Sequence, residues 1–131
     1  EDEVLRVIEP VPDGHPTTWQ SRLVVTPKEN GEPRRTVDLS HLNRHCLRET
    51  THVVQPFKQA RFVQAKTWKR VTDAWNGYHS VPLHPDDLDL TTFLTEKGRF
   101  RYRVAPQGFV AAGDGYNARY DRIIKEVARK I

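Results

Sequence analysis

Residues 21–39 read SRLVVTPKENGEPRRTVDL and contain the clearest structural pattern in the chain. Residues 22–26 and 34–39 are rich in strand-forming side chains, and the dipeptide Asn30-Gly31 lies between them. Asn-Gly between two such runs is a strong signal for a β-hairpin, because both residues tolerate the positive φ of a tight turn. The tip and second strand carry basic side chains, which either bind an anion or form an ordinary solvated edge. These are Lys28, Arg34 and Arg35.

The segment before this hairpin is rich in turn-forming residues. Residues 9–18 contain Pro10, Pro12, Gly14 and Pro16, a composition that disfavours regular structure. We therefore expect an extended lead-in over residues 1–18, with the folded domain spanning 19–131.

The middle of the chain is loosely patterned from Ser40 to Ala65, and Phe57 and Phe62 are its expected core anchors. Residues 69–73 then predict a strand that ends at Asp73, followed by the turn dipeptide Asn76-Gly77. A carboxylate at the end of a strand suits catalysis, but it also serves as a helix cap or turn former.

The second half predicts a short helix, a hairpin and a long helix. The run Pro85-Asp86-Asp87-Leu88 suits a helix start, and the hairpin arms are 91–95 and 99–104. Strict alternation places Arg99, Arg101 and Arg103 on one face of the second arm, where they meet either phosphates or acidic partners. Helical spacing of Tyr116, Tyr120, Ile123, Ile124, Val127 and Ile131 predicts a final amphipathic helix packed on a sheet. Together these elements predict an α+β fold.

Composition narrows the class of protein. The chain has 131 residues, which suits one domain, and 21 Lys and Arg against 17 Asp and Glu give a net charge of +4. No apolar run has the length of a membrane span, so no membrane partner is expected. The single Cys46 is expected to pack in the interior and favours a reducing compartment, the cytoplasm or nucleus.

The common catalytic and metal-binding motifs are absent from the sequence. It contains no phosphate-binding Gly-Lys-Ser/Thr loop, HExxH, CxxC or GxSxG motif. His41, His45, Cys46 and His52 lie close together, but one thiol and scattered imidazoles are a poor zinc set, and we reject that interpretation.

Three separated motifs resemble the reverse transcriptase domain of retroviruses and long-terminal-repeat retrotransposons, in the family's order and from Trp19 to about Ile124. The first runs from Ser21 through the hairpin to Val37-Asp38-Leu39 and Leu42-Asn43. It is similar to the fingers hairpin of that family, which closes over the incoming nucleotide. The resemblance implies that Lys28 and Arg34 contact its triphosphate.

The second motif, residues 71–83 with the sequence VTDAWNGYHSVPL, resembles motif A of the palm. The resemblance implies that Asp73 is the catalytic carboxylate and binds both Mg²⁺ (or Mn²⁺) ions of the phosphoryl transfer that adds deoxynucleotides to a primer. The carbonyl of Ala74 is implied as a further metal ligand. It implies that Tyr78 lies against the sugar and excludes a 2′-hydroxyl; a buried core tyrosine is the alternative.

The third motif, Ala105-Pro106-Gln107-Gly108-Phe109, is similar to motif B. The resemblance implies that Gln107 contacts the nucleotide and that Gly108 lets the backbone approach the template or substrate. Read without the resemblance, the segment is a plain turn between a strand and a helix.

One departure from the family pattern bears on activity. The family's Asp-Asp hairpin downstream of motif B is missing, and Asp86-Asp87 precedes motif B in an expected helix start. The resemblance thus implies the fingers and an incomplete palm of a right-hand polymerase, with a mixed palm sheet packed on helices. Because Mg²⁺ sites gather more than one carboxylate, such a part is expected to be inactive alone.

The implied partners are an RNA or DNA template, a DNA or RNA primer, deoxynucleoside triphosphates and the remainder of the polymerase. The competing interpretation is a noncatalytic nucleic-acid-binding remnant of a retroelement. It would hold phosphates with Arg99, Arg101 and Arg103 and with the basic block 53–72. A folded remnant without activity or partner is a third possibility.

Overall fold

A computed structural model describes residues 5–48, 56–69, 71, 73–75 and 77–128. Five strands form one mixed sheet: β1 (Ile8–Pro10), β2 (Ser21–Pro27), β3 (Pro33–Asp38), β4 (Phe93–Thr95) and β5 (Gly98–Tyr102). The helices are α1 (Ser40–Asn43), α2 (Pro56–Ala60) and α3 (Ala112–Ala128), with two 3-10 helices at Tyr78–Ser80 and Pro85–Thr91. The predicted α+β class is confirmed.

The sheet joins two hairpins in the order β1-β5-β4-β2-β3. The predicted first hairpin is confirmed as the antiparallel pair β2 and β3, and the second as β4 and β5. A short parallel pairing of β2 with β4 connects them, and the Ser21 amide donates to the Thr92 carbonyl at 2.9 Å beside it. This pairing places the tip of the first hairpin and the chain leaving β5 in one folded unit.

One hydrophobic cluster lies on one face of this sheet. It consists of Val37, Leu39, Leu42, Phe93 and Phe100, all buried. The partly buried Cys46 packs against it, as expected. Alternation along β5 is also confirmed, because Phe100 is buried in this cluster while Arg99 and Arg101 leave from the opposite face. Each fully buried aliphatic or aromatic side chain stabilises the fold by about 1.5 to 3 kcal/mol.

Residues before the first hairpin belong to the sheet, in contrast to the expected lead-in. Ile8–Pro10 pairs with β5, and Val7 and Val11 on either side are buried. A proline is tolerated here because β1 is an edge strand and ends at Pro10. The expected lack of regular structure is therefore wrong at Glu9 and Pro10, while the domain limits 1–18 and 19–131 stay a prediction.

Two further expectations differ from the structure, the core anchors and the strand at residues 69–73. Phe57 and Phe62 are 78% and 86% exposed, so they are not core anchors; other side chains close the core. Lys69, Val71 and Asp73 are not in a strand, and Val71 is almost fully exposed, which a sheet strand in the core would not allow. Arg70, Thr72 and Asn76 of the predicted strand and turn lie outside the described residues.

The final helix exists, but in the part of the chain that the structure describes its main contact lies outside the sheet. It contacts the 3-10 helix Tyr78–Ser80, and Ile123 and Ile124 remain 45% and 65% exposed. The chain reaches α3 through residues 103–111, where the Ala105 amide donates to the Val81 carbonyl at 2.8 Å. Ile131 lies outside the described residues. No helix in the described part of the chain is long and apolar enough to cross a membrane.

The arginines of the second hairpin hold the N-terminal segment against the sheet. Glu9 lies directly opposite Arg101 across the β1–β5 pair and accepts from it at 2.6 Å. Asp89 accepts from Arg101 at 2.5 Å and contacts His15 at 2.7 Å. The Arg103 side chain lies 3.4 Å from Glu9. For Arg101 and Arg103, the structure therefore shows the acidic partners that the sequence left as one of two alternatives.

We expect Arg101→Met to lower the free energy of unfolding by about 2 kcal/mol, because two carboxylates lose a charged hydrogen-bond donor. Arg101 is only 17% exposed, so water replaces these bonds poorly. Urea denaturation at neutral pH measures the change. Arg103→Met is the matched control and should cost less than about 1 kcal/mol, because that side chain is largely solvated. Equal losses for the two variants would contradict the special role of Arg101.

A second prediction concerns pH. The hydrogen bond with His15, followed by that with Arg101, lowers the pKa of Asp89 below its usual value. A carboxyl group with a lowered native pKa stabilises the fold above its ordinary pKa of about 4, and this contribution is lost as pH falls through the native pKa. We expect the stability difference between the parent chain and Asp89→Asn to shrink from pH 6 toward pH 3 in urea denaturation. A difference that stays constant would rule out this linkage.

Candidate nucleotide-binding site

Two adjacent surface pockets lie at the first hairpin, and Arg34 of β3 lines both. The first, about 550 Å³, is formed at the hairpin tip by Thr26, Pro27, Lys28, Glu29, Asn30 and Arg34. The second, about 360 Å³, lies between β3, α1 and the loop after β5. Its lining comprises Arg34, Thr36, Val37, Asp38, Leu39, Ser40, Asn43, Gln107 and Gly108. The two pockets thus join residues of the first and third sequence motifs.

Arg34 and Gln107 are in direct contact. The Arg34 Nη2 donates to Gln107 Oε1 at 2.9 Å, although the residues are 73 positions apart in the chain. A guanidinium has five N–H donors in a planar fork, so one bond to Gln107 leaves donors for anionic oxygens. The geometry suits a site that binds a phosphate group and contacts the neutral part of the same ligand.

Lys28 lies at the tip pocket, in a turn that orders its surroundings. Its amide donates to the Glu32 carbonyl at 2.8 Å, and its Nζ lies 3.3 Å from Glu32 Oε2. Hydrogen bonds from Asn30 and then Lys28 lower the pKa of Glu32. An exposed pair of this kind is weak, so an anion of higher charge can displace the carboxylate from Lys28.

Asp38 bonds to Ser40, the first residue of α1, and lines the second pocket. Its Oδ1 accepts from the Ser40 hydroxyl at 2.6 Å and from the Ser40 amide at 3.0 Å. These two hydrogen bonds, in that order, lower the pKa of Asp38. Asp38 therefore orients α1, which carries Asn43 to the pocket wall.

Asn43 contacts the loop that carries Gln107. Its Nδ2 donates to the Gly108 carbonyl at 2.8 Å, and its Oδ1 accepts from the Val110 amide at 2.9 Å. The sequence placed Asn43 in the first motif without a role, because no local pattern shows a contact across 65 positions. The contacts of Glu9 and Asp89 with Arg101, and of His15 with Asp89, were missed for the same reason.

Tyr78, the first residue of the 3-10 helix Tyr78–Ser80, packs beside the start of α3 and lies outside the hydrophobic core. It is 39% exposed and meets Tyr116 edge-on, with ring centroids 5.8 Å apart. Its hydroxyl approaches the backbone at Gly113, where an added Cβ would lie 3.8 Å away. The Ser80 hydroxyl lies 3.1 Å from that of Tyr120 and strengthens the same contact. The alternative of a buried core tyrosine is therefore wrong.

Asp73 and Ala74 are exposed and line neither of the two pockets, as far as the described residues show. Within those residues, no group of three or more Asp, Glu, His or Cys side chains is arranged to hold a metal ion. Hard divalent cations gather several oxygen ligands, and one carboxylate with one carbonyl does not supply them. The described donor set thus does not fit a resident Mg²⁺ or Mn²⁺ centre, and Asp73 as its ligand stays a prediction.

The predicted nucleic-acid contacts Arg99 and Arg101 of β5, and Arg103 directly after it, line neither pocket; their side chains face the N-terminal segment. Arg99 donates to the Thr17 hydroxyl at 3.0 Å, and Arg101 donates to the carboxylates of Glu9 and Asp89. The structure therefore brings together Lys28, Arg34, Gln107 and Gly108, and places Asp73, Tyr78 and the three arginines elsewhere on the chain.

Known proteins share this fold. No protein-family model matches the sequence. The selenomethionine-labelled CSH mutant of Prototype Foamy Virus protease-reverse transcriptase superposes with a TM-score of 0.82 at 20% identity, over 95% of this chain and 16% of that chain. The native protein gives 0.80 at 21% identity, over 96% and 17%. A foamy viral protease-reverse transcriptase in complex with dsDNA gives 0.76 at 17% identity, over 95% and 25%.

These matches establish the fold: the chain is built like part of a reverse transcriptase domain. It spans between 16% and 25% of the length of these proteins. The expected right-hand polymerase architecture is thereby confirmed at the level of the fold.

Gly108 offers a test of how the second pocket is built. Its φ is +92°, and an added Cβ would meet only the Val37 carbonyl, at 3.7 Å. We expect Gly108→Ala to lower the free energy of unfolding by about 1 kcal/mol or more, because an L side chain is strained at this φ. Thermal and urea denaturation measure it.

Gly115→Ala is the matched control for that change. Gly115 lies inside α3 with open space around it, so alanine should stabilise the chain by up to about 1 kcal/mol. The same substitution at these two glycines is thus expected to change the free energy of unfolding in opposite directions. A neutral or stabilising Gly108→Ala would contradict the left-handed conformation.

Proposed function

We propose that this chain is part of an RNA-directed DNA polymerase and supplies its pocket for the incoming deoxynucleoside triphosphate. The Arg34–Gln107 contact carries the proposal, because it unites the hairpin and the loop after β5 at one pocket. The fold, shared with foamy virus protease-reverse transcriptases, supports it independently.

Charge complementarity assigns the two pockets to different parts of the nucleotide. Lys28 and Arg34 contact the triphosphate from the tip pocket, with a mobile ammonium and a planar fork. Gln107 contacts the nucleoside from the second pocket, and the exposed backbone at Gly108 permits close approach of the substrate or template. Binding thus uses the charged hairpin for affinity and the neutral amide for orientation.

Tyr78 and Asp73 complete the proposed assignment. The Tyr78 ring, held by Tyr116, lies against the sugar and disfavours a 2′-hydroxyl. Asp73 would be the catalytic carboxylate, and the Ala74 carbonyl would be a second ligand of a divalent ion, Mg²⁺ or Mn²⁺, that activates the primer hydroxyl once the rest of the polymerase supplies further ligands. Because one carboxylate does not hold two ions, the described residues recognise the nucleotide without completing phosphoryl transfer, and the chain alone is inactive. The rest of the polymerase, a primer and an RNA or DNA template are its partners, in the cytoplasm or nucleus.

Binding of dTTP to the full chain tests the pocket directly. We expect Arg34→Ala to weaken dTTP binding about 10- to 100-fold, the effect of losing a charged hydrogen bond worth about 1.5 to 3 kcal/mol. Isothermal titration calorimetry, or chemical-shift changes at Gln107, measures the affinity. The dTTP affinity of Arg34→Lys should lie between those of the parent chain and Arg34→Ala, because lysine keeps the charge but lacks the planar fork of N–H donors.

Arg35→Ala is the matched control. Arg35 precedes Thr36 on the same strand, and its side chain leaves from the face opposite to that of Arg34. Arg35→Ala removes the same charge as Arg34→Ala but no contact in the pocket. Solvent screens a surface charge, so the effect of Arg35→Ala on dTTP affinity should stay within about threefold. Equal losses for Arg34→Ala and Arg35→Ala would indicate nonspecific attraction and contradict the pocket.

A noncatalytic nucleic-acid-binding module is the second candidate. A similar structure contains dsDNA, and the basic block here presents the exposed side chains Lys58, Arg61, Lys66 and Lys69. This candidate predicts salt-sensitive binding of a primer–template duplex with no saturable dTTP site. Fluorescence anisotropy of the duplex at several salt concentrations, beside the dTTP titration, separates the two functions.

A further inference from the structure

We propose that Asn43 is a positioning residue of the nucleotide pocket: its side-chain amide holds residues 106–110 so that Gln107 faces Arg34. This inference rests on the proposed function of the pocket. Asn43 lines the second pocket, but both ends of its side-chain amide bond to the loop, and it acts on the nucleotide through that loop.

The amide of Asn43 uses both of its ends on the same loop. Nδ2 donates to the Gly108 carbonyl at 2.8 Å, and Oδ1 accepts from the Val110 amide at 2.9 Å. These two backbone groups flank Phe109. One residue of a neighbouring parallel strand would bond to the same two groups, so a side chain here replaces a strand partner. The loop is therefore fixed in register as well as in distance.

Both sides of this contact are anchored in the interior. On the helix side, Leu39 and Leu42 are buried in the core, and the backbone amide of Asn43 donates to the Leu39 carbonyl at 2.8 Å. On the loop side, Pro106 is fully buried and Phe109 packs against the same core. Gln107 and Gly108 between them are exposed. The Asn43 Nδ2 bonds directly to Gly108 in this exposed stretch, where burial does not hold the backbone.

The position requires a primary amide of this length. Alanine would leave the Gly108 carbonyl and the Val110 amide without these bonds. Aspartate would keep an acceptor for Val110 and set a second oxygen against the Gly108 carbonyl. In both variants Gly108 gains freedom, and its φ of +92° sets the direction of the peptide that follows Gln107. The Gln107 side chain then samples positions away from Arg34.

A double-mutant cycle on the full chain tests this role. We expect Asn43→Ala to weaken dTTP binding about tenfold, because a displaced Gln107 loses its hydrogen bond to the nucleotide. In a Gln107→Ala background, Asn43→Ala should have almost no further effect, because there is no amide left to position. Asn117→Ala, on the exposed side of α3, is the matched control and should leave affinity unchanged. A full tenfold effect in both backgrounds would overturn the proposal.

A second measurement needs no ligand. Without dTTP, the Val110 backbone amide should exchange with solvent about tenfold faster in Asn43→Ala, and the Gln107 side-chain NMR signals should move. The Phe100 amide, inside the β-sheet core, reports any general loosening and should stay unchanged. Unmoved Gln107 signals with normal protection of Val110 would overturn the proposal.

The two measurements separate the possible failures. If the parent chain binds no dTTP, the proposed function fails, while hydrogen exchange at Val110 and the Gln107 signals still decide whether Asn43 positions the loop. Asn43→Asp is a second variant should Asn43→Ala not fold, because it keeps the acceptor for Val110 and loses only the donor to Gly108. With Asn43→Asp we expect the Gln107 signals to move while Val110 stays protected.

Discussion

The parallel pairing of β2 with β4 is the contact on which the rest of this structure depends. Only Ser21 and Arg22 pair with Phe93 and Leu94, yet this short ladder merges two local hairpins into one sheet. Hairpins form from neighbouring residues, whereas a parallel pair must close a long loop before it gains any contact. The shared core of Val37, Leu39, Leu42, Phe93 and Phe100 offsets that entropy loss, because it buries side chains from both hairpins.

The pocket is a consequence of this arrangement. Once the hairpins share a sheet, the chain leaving β5 passes α1, and Asn43 bonds to it at Gly108 and Val110. Arg34 and Gln107 then meet, although neither lies in a buried position. Rigid elements thus carry exposed side chains to a common surface, which is the usual construction of a binding site. The proposed recognition of a nucleotide depends on contacts between residues far apart in sequence, and a few hydrogen bonds align these residues.

Charge serves two different purposes in this chain. On the hairpin, Lys28 and Arg34 line open pockets and meet solvent. On β5, Arg101 is largely enclosed and bonds to Glu9 and Asp89, so its charge stabilises the N-terminal strand. Both sets look alike in sequence, as basic residues of β-hairpins. Burial and the presence of carboxylates distinguish them, because an enclosed guanidinium with two acidic partners has little capacity left for phosphates.

Local patterns in the sequence were sufficient to predict both hairpins, the helix start at Pro85, the long final helix and the α+β class, because alternation, turn dipeptides and helical spacing act between neighbours. The resemblance also singled out Arg34 and Gln107, which the fold brings into contact. Other features required the tertiary structure. Glu9 and Pro10 form a strand because β5 offers an open edge, Phe57 and Phe62 stay exposed because other side chains fill the core, and Asn43 holds the loop from 65 positions away. Each of these outcomes depends on which distant segment becomes a neighbour, and no local pattern carries that information.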